Sequence, residues 1–182
     1  MAPNKPYFTS EAQRLAFLAW QKLKLKIPVD LHLVASRLGV KIEERKFVDE
    51  IDGVYLRLPG TSPIICINTQ YTKPHTRQRF TLAHEIGHHV LVGNKSSGKI
   101  IILDSSKNSS RSMMERACDS FAAMLLMPED IIREHYSELS SNPQNRILIM
   151  AERFGVSVMA MRRRLREIGI VEKYKKYNDD SI

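Results

Sequence analysis

Apolar and polar residues change period several times along the chain, and each change marks an expected element. From Ser10 to Lys26, Leu15, Leu18, Ala19 and Leu23 recur near helical spacing, with Ser10 as cap and Pro28 beyond the end. "VDLHLVASRLGV", Val29 to Val40, reads as a short second helix, started at Asp30 and closed by Gly39. Three strands are expected next, around Lys41 to Arg45, Asp52 to Leu58 and Pro63 to Asn68, with the turn-forming "LPGTSP" before the last. The period returns to helical in "HTRQRFTLAHEIGHHVLVG", from about Thr76 to a stop at Gly93. Lys95 to Ser112 is rich in Ser, Gly and Asn around the apolar run "IIIL", which suits a mobile loop with one short strand. "RSMMERACDSFAAMLLMP", Arg111 to Pro128, is a long helix stopped by its proline, and two further helices meet at Gly155.

These elements predict a polar tail over 1–9, a single domain over 10–172, and a frayed basic tail over 173–182. The fold class is α+β: a small sheet packed on a helix, followed by a helical C-terminal portion. The 182 residues, 43% hydrophobic and 26% charged, are enough for one real core, and no internal repeat appears. No apolar run approaches the ~18 residues of a membrane span, and "MAPNKPYFTSEAQ" is too polar for an export signal. With two cysteines, Cys66 and Cys118, a disulfide framework is excluded, so a reducing cytoplasm is expected.

The densest chemistry sits in "RFTLAHEIGHHV", Arg79 to Val90. His84 and His88 are four apart on a helix, so their imidazoles share a face and can converge on one ion. Zinc suits such neutral nitrogens. Glu85, directly after the first histidine, is placed as general base for water whose pKa the metal lowers towards ~7. Gly87 lets this helix lie against another without an intervening side chain. A catalytic zinc needs a third protein ligand, and "MERACDSFAAMLLMP" offers Glu115 and Asp119, again four apart. Glu115 can bind the ion, while Asp119 accepts a hydrogen bond from the outer N–H of a ligand histidine. This order, His-Glu-x-x-His and then Glu-x-x-x-Asp, is the glutamate-zincin arrangement.

"RFTLAHEIGHHVL" followed by "ERACDSFAAMLLMP" resembles the ImmA/IrrE family of metallo-endopeptidases. "VASRLGVKI", "DGVY", "IICIN" and "AERFGVSVMAMRRRLREIGIV" fit in the same order, so the likeness covers roughly Glu11 to Val171. Family members often carry a second acid where this chain has Ala117, which leaves Glu115 the lone glutamate of its segment. The resemblance implies a zincin-like, zinc-dependent peptidase that cleaves a helix-turn-helix repressor and relieves repression. It also implies the compact, mobile-element branch, without the sensor domain of the longer one.

Other residues carry weaker readings. His89 lies off the ligand face, and a surface or supporting role suits it. Cys118 reads as a small core residue, since two histidines and Glu115 already complete a set. His75, Arg77, Arg79, His135 and Tyr136 are candidates to stabilise an oxyanion or to support the site. The net charge of +8, part of it in "MRRRLREIGIVEKYKK", favours acidic partners. "AERFGVSVMAMRRRL" has a helix-turn-helix look, so a DNA-binding regulator is the rival reading. Against it, "VSVMAM" would place Met and Val on an exposed recognition surface. A third reading keeps the metal but not hydrolysis and makes the chain a repressor antagonist. For a peptidase, the substrate is expected to pair with a sheet edge at "PIICIN".

Overall fold

The computed structural model describes residues 5–47, 50–70, 74–92, 98–105, 112–140 and 142–171. Among them the chain runs α1 (Lys5–Leu23), α2 (Leu31–Arg37), β1 (Lys41–Arg45), β2 (Ile51–Arg57), β3 (Ile64–Asn68) and α3 (His75–Leu91). Then follow β4 (Ile100–Ser105), α4 (Met113–Leu126), α5 (Glu129–Ser137), α6 (Pro143–Phe154) and α7 (Val158–Glu167). The architecture is α+β, a zincin-like domain with a four-stranded mixed sheet ordered β1-β3-β2-β4. β1 runs parallel to β3, and β2 runs antiparallel to both β3 and β4.

This order corrects one expectation. "PIICIN" forms β3, bonded on both sides, so it cannot be the edge that receives a substrate. Its unbroken apolar run is the signature of a strand buried within a sheet. The edges are β1 and β4, and β4 pairs only with β2 among the described residues.

Helix α3 lies on β2 and β3, α4 packs against α3, and α1 packs against α4. Trp20 of α1 donates its indole N–H to Leu125 O at 2.8 Å, so its polar atom is satisfied where its ring packs against α4. Phe121, Leu125 and Leu126 of α4 are buried with Ile86 of α3, each such side chain stabilising the fold by roughly 1.5–3 kcal/mol.

The remaining helices start and stop for local reasons. Ser112 caps α4, Asn142 caps α6 and Ser157 caps α7, each accepting a backbone N–H three residues on. Gly155 ends α6 at φ 64°, the left-handed conformation that glycine adopts freely, and its carbonyl accepts from Arg79 Nε at 3.1 Å. Arg79 also donates to Val29 O at 2.9 Å, so it ties α3 to two loops rather than serving the site. Two boundaries differ from expectation. α1 begins at Lys5, ahead of Ser10, and α5 was not foreseen. Pro128 does stop α4, but it also opens α5, whose first turn carries Glu129 and Asp130. The expected stop at Gly93 and the tail from Lys173 lie outside the described residues.

Candidate metal centre

The centre exists because α3 and α4 touch at a glycine. A Cβ built on Gly87 would stand 3.2 Å from Cys118 Cα and 3.3 Å from Phe121 Cδ1. With hydrogen there instead, the helices close up, and the carboxylates of α4 reach the imidazoles of α3. The Nε2 atoms of His84 and His88 lie 3.2 Å apart. Glu115 Oε2 is 3.1 Å from His84 Nε2, and its Oε1 is 3.4 Å from His88 Nε2.

These separations test whether a metal fits. Tetrahedral ligands at zinc's ~2.0–2.1 Å bond lengths stand about 3.3 Å from one another. The two imidazole nitrogens at 3.2 Å, and His84 Nε2 to Glu115 Oε2 at 3.1 Å, come close to that spacing, with the second carboxyl oxygen 3.4 Å from His88 Nε2. The donor set fits.

The outer nitrogens are also engaged. His84 Nδ1 is 3.0 Å from Asp119 Oδ1, which fixes the ring so that Nε2 faces inward. His88 Nδ1 is 3.3 Å from Cys118 Sγ. Cys118 thus approaches the nitrogen of His88 that does not face Glu115. It is buried, as expected, and its sulfur lies close enough to ligand atoms of both His84 and His88 to form a second possible metal-holding set.

Burial disfavours charge on His84, yet hydrogen bonds to Asp119 and Glu115 outweigh it and raise its pKa to about 10. His88 is pushed down to about 4 by burial and by the His84 charge. The hydrogen bond from His84 holds Glu115 below the usual carboxylate range. Glu85 is fully buried, and neither carboxyl oxygen has a hydrogen-bond partner among the described residues. Desolvation raises its pKa to about 8, opposed by the His84 charge.

Strand β2 supplies the floor, and the "DGVY" motif accounts for it. Gly53 lies against Glu85: a Cβ there would stand 2.7 Å from Glu85 Oε1 and 2.8 Å from Thr81 Cγ2. Asp52 sits where the β2–β4 register shifts, an irregularity that aims its side chain inward. There it pairs with Arg77, Oδ2 to NH2 at 2.6 Å and Oδ1 to Nε at 3.2 Å. Tyr55, two residues beyond Gly53, places its hydroxyl 3.0 Å from His89 Nδ1. His89 is therefore buried and supports the sheet contact, which corrects the surface reading.

Asp104, on β4 opposite Gly53, was not foreseen. One of its oxygens falls within 4.8 Å of ligand atoms of both His84 and Glu115. Only long-range strand pairing brings it there. The oxyanion candidates separate cleanly. Arg77 lines the cleft beside His84, whereas His135 and Tyr136 do not. His135 packs edge-on against Phe154, and Tyr136 lies under Arg146.

Comparison with known proteins agrees with this geometry. Residues 35–166 match the IrrE N-terminal-like domain. A stretch of 71 residues, 39% of the chain, is 41% identical to the radiation response metalloprotease IrrE of Deinococcus radiodurans. That stretch spans 21% of the relative's own length. The family match includes both helices that build the centre, together with β2, β3 and β4. The chain belongs to the IrrE N-terminal-like domain family.

Proposed function

We propose that the chain is a zinc-dependent endopeptidase, with His84, His88 and Glu115 as metal ligands and Glu85 as general base. The observation that carries this reading is the convergence of the three groups: His84 Nε2 lies 3.2 Å from His88 Nε2 and 3.1 Å from Glu115 Oε2, and the other Glu115 oxygen lies 3.4 Å from His88 Nε2. When bound, the ion supplies Lewis acidity and lowers the pKa of water at the site. The chain's own groups do the rest. Asp119 and Cys118 hold the two imidazoles in orientation. Glu85 accepts a proton from the attacking water at a carboxyl oxygen and returns it to the leaving amine. Its burial against Gly53 keeps bulk water from competing for those oxygens.

The substrate pairs with β4, the edge strand that carries Asp104 beside the centre. Ile101 and Leu103 alternate outward there, 51% and 59% exposed, and offer apolar contacts to a peptide laid along the edge. The natural target is a helix-turn-helix repressor, as the family resemblance implies, and its cleavage places the protein in the cytoplasm. No helix among the described residues is long and apolar enough to cross a membrane. Incubating the chain with a candidate repressor, with zinc and with chelator, tests the whole reading. Cleavage with zinc alone supports it. Relief of repression without any cleavage, by wild type and Glu85→Gln alike, establishes the antagonist reading instead.

Asp119→Ala is expected to weaken zinc affinity or activity by about 10- to 100-fold, because it frees the His84 ring while leaving three ligands in place. Paired zinc titration and cleavage assays check this. Unchanged values in both contradict it, and complete metal loss would make Asp119 a ligand.

A further inference from the structure

A cleft of about 1050 Å³ contains His84, Asp104 and Asp119 on one side and helix α7 on the other. An open cleft of this size has room for an extended stretch of polypeptide. Helical spacing divides α7 into two faces. Met161 and Leu165, four apart, are fully buried in the core. Met159, Arg162, Arg163 and Arg166 line the cleft.

The charges on this wall are unequally committed. Arg164 is structural: its Nε donates to Met127 O at 3.0 Å. Arg163 pairs with Glu167 at 3.0 Å. The exposed side chain of Arg162 has no hydrogen bond or ion pair among the described residues, and the same holds for the side chain of Arg116 of α4, which also lines the cleft. Six arginines line the cleft against four acids, of which Asp52 pairs with Arg77, Asp119 with His84 and Glu167 with Arg163, while Asp104 faces the metal centre. The open cleft therefore presents an excess of positive charge beside an apolar contact, Met159, which is 83% exposed.

We propose that the α7 wall docks an acidic stretch of the substrate polypeptide, with Arg162 and Arg116 as charge contacts and Met159 as the apolar one. This rests on the proteolytic reading of the same cleft and adds its substrate class. It also explains why a helix with the look of a DNA reader has arginines on the cleft face: they face the same space as the metal centre.

The test is fluorescence anisotropy on the zinc-loaded full chain, with three short labelled peptides of equal length. One is rich in Asp and Glu, one carries Gln at those positions, and one carries Lys; unlabelled duplex DNA serves as competitor. The acidic peptide is expected to bind roughly tenfold tighter than the Gln peptide, and less so as salt rises. Arg162→Glu should remove that preference, whereas Arg37→Glu, the same charge change on α2 outside the cleft, should shift affinity by no more than about twofold. Equal binding of acidic and neutral peptides, no binding of either, or equal loss in both variants overturns the proposal. So does duplex DNA that displaces the peptide and itself depends on Arg162, since the surface would then be a DNA site. Discriminating binding without any cleavage leaves docking intact and contradicts only the proteolytic reading.

Discussion

Glu85→Gln is expected to lower hydrolysis by about 10²- to 10⁴-fold while the protein keeps its fold and its metal. The amide has nearly the shape of the carboxyl it replaces but cannot accept the proton of the attacking water. The surroundings favour a clean result. Glu85 is buried and its oxygens bond to nothing among the described residues, so no ion pair is broken there by the exchange. His84, His88 and Glu115 are untouched. Measuring kcat on a cleavable repressor, alongside zinc content and thermal unfolding, checks the result. A wild-type rate in this variant removes Glu85 from the chemistry.

Gly53→Ala is expected to cost activity on the order of 10²-fold through position alone, since a displacement of about 1 Å at a catalytic group has that effect. The added methyl would stand 2.7 Å from Glu85 Oε1 and 2.8 Å from Thr81 Cγ2, so one of them must move. Thr81 is β-branched and buried, with little freedom at χ1. The carboxyl of Glu85 therefore shifts. Overpacking also destabilises the fold by roughly 1–3 kcal/mol. Zinc affinity separates the two effects: it should stay near the wild-type value while kcat falls. A variant with unchanged kcat would show that Gly53 does not set the carboxyl's position. One in which zinc is lost as well would show that the sheet supports the ligands themselves.

What could be read from the sequence, and what could not, follows from the range of each interaction. The His84, His88, Glu115 and Asp119 pattern depends on helical spacing, a local property, so two short segments announced the cluster that the fold assembles. The close approach at Gly87 was legible for the same reason. The order of the strands depends on pairing between distant segments. That is why β3 was taken for an edge and Asp104 was missed, although the apolar continuity of "IICIN" was a usable sign of a central strand. Gly53 and Asp52 stood in a quoted motif, but only the β2–β4 irregularity and the packing of α3 reveal what they do. His89 looked peripheral because it is off the ligand face of α3. The face that carries His89 instead packs on the sheet, where Tyr55 meets it. Pro128 was read as a stop, when the same residue also begins the next helix.

Zinc titration of the wild type and of Glu115→Ala tests the central claim most directly, because the proposed reading makes Glu115 the third ligand beside His84 and His88. The account predicts about one zinc per wild-type chain and a large loss of affinity in the variant, with the fold retained. Undiminished affinity in Glu115→Ala would contradict it and move the third ligand to Asp104, Asp119 or Cys118.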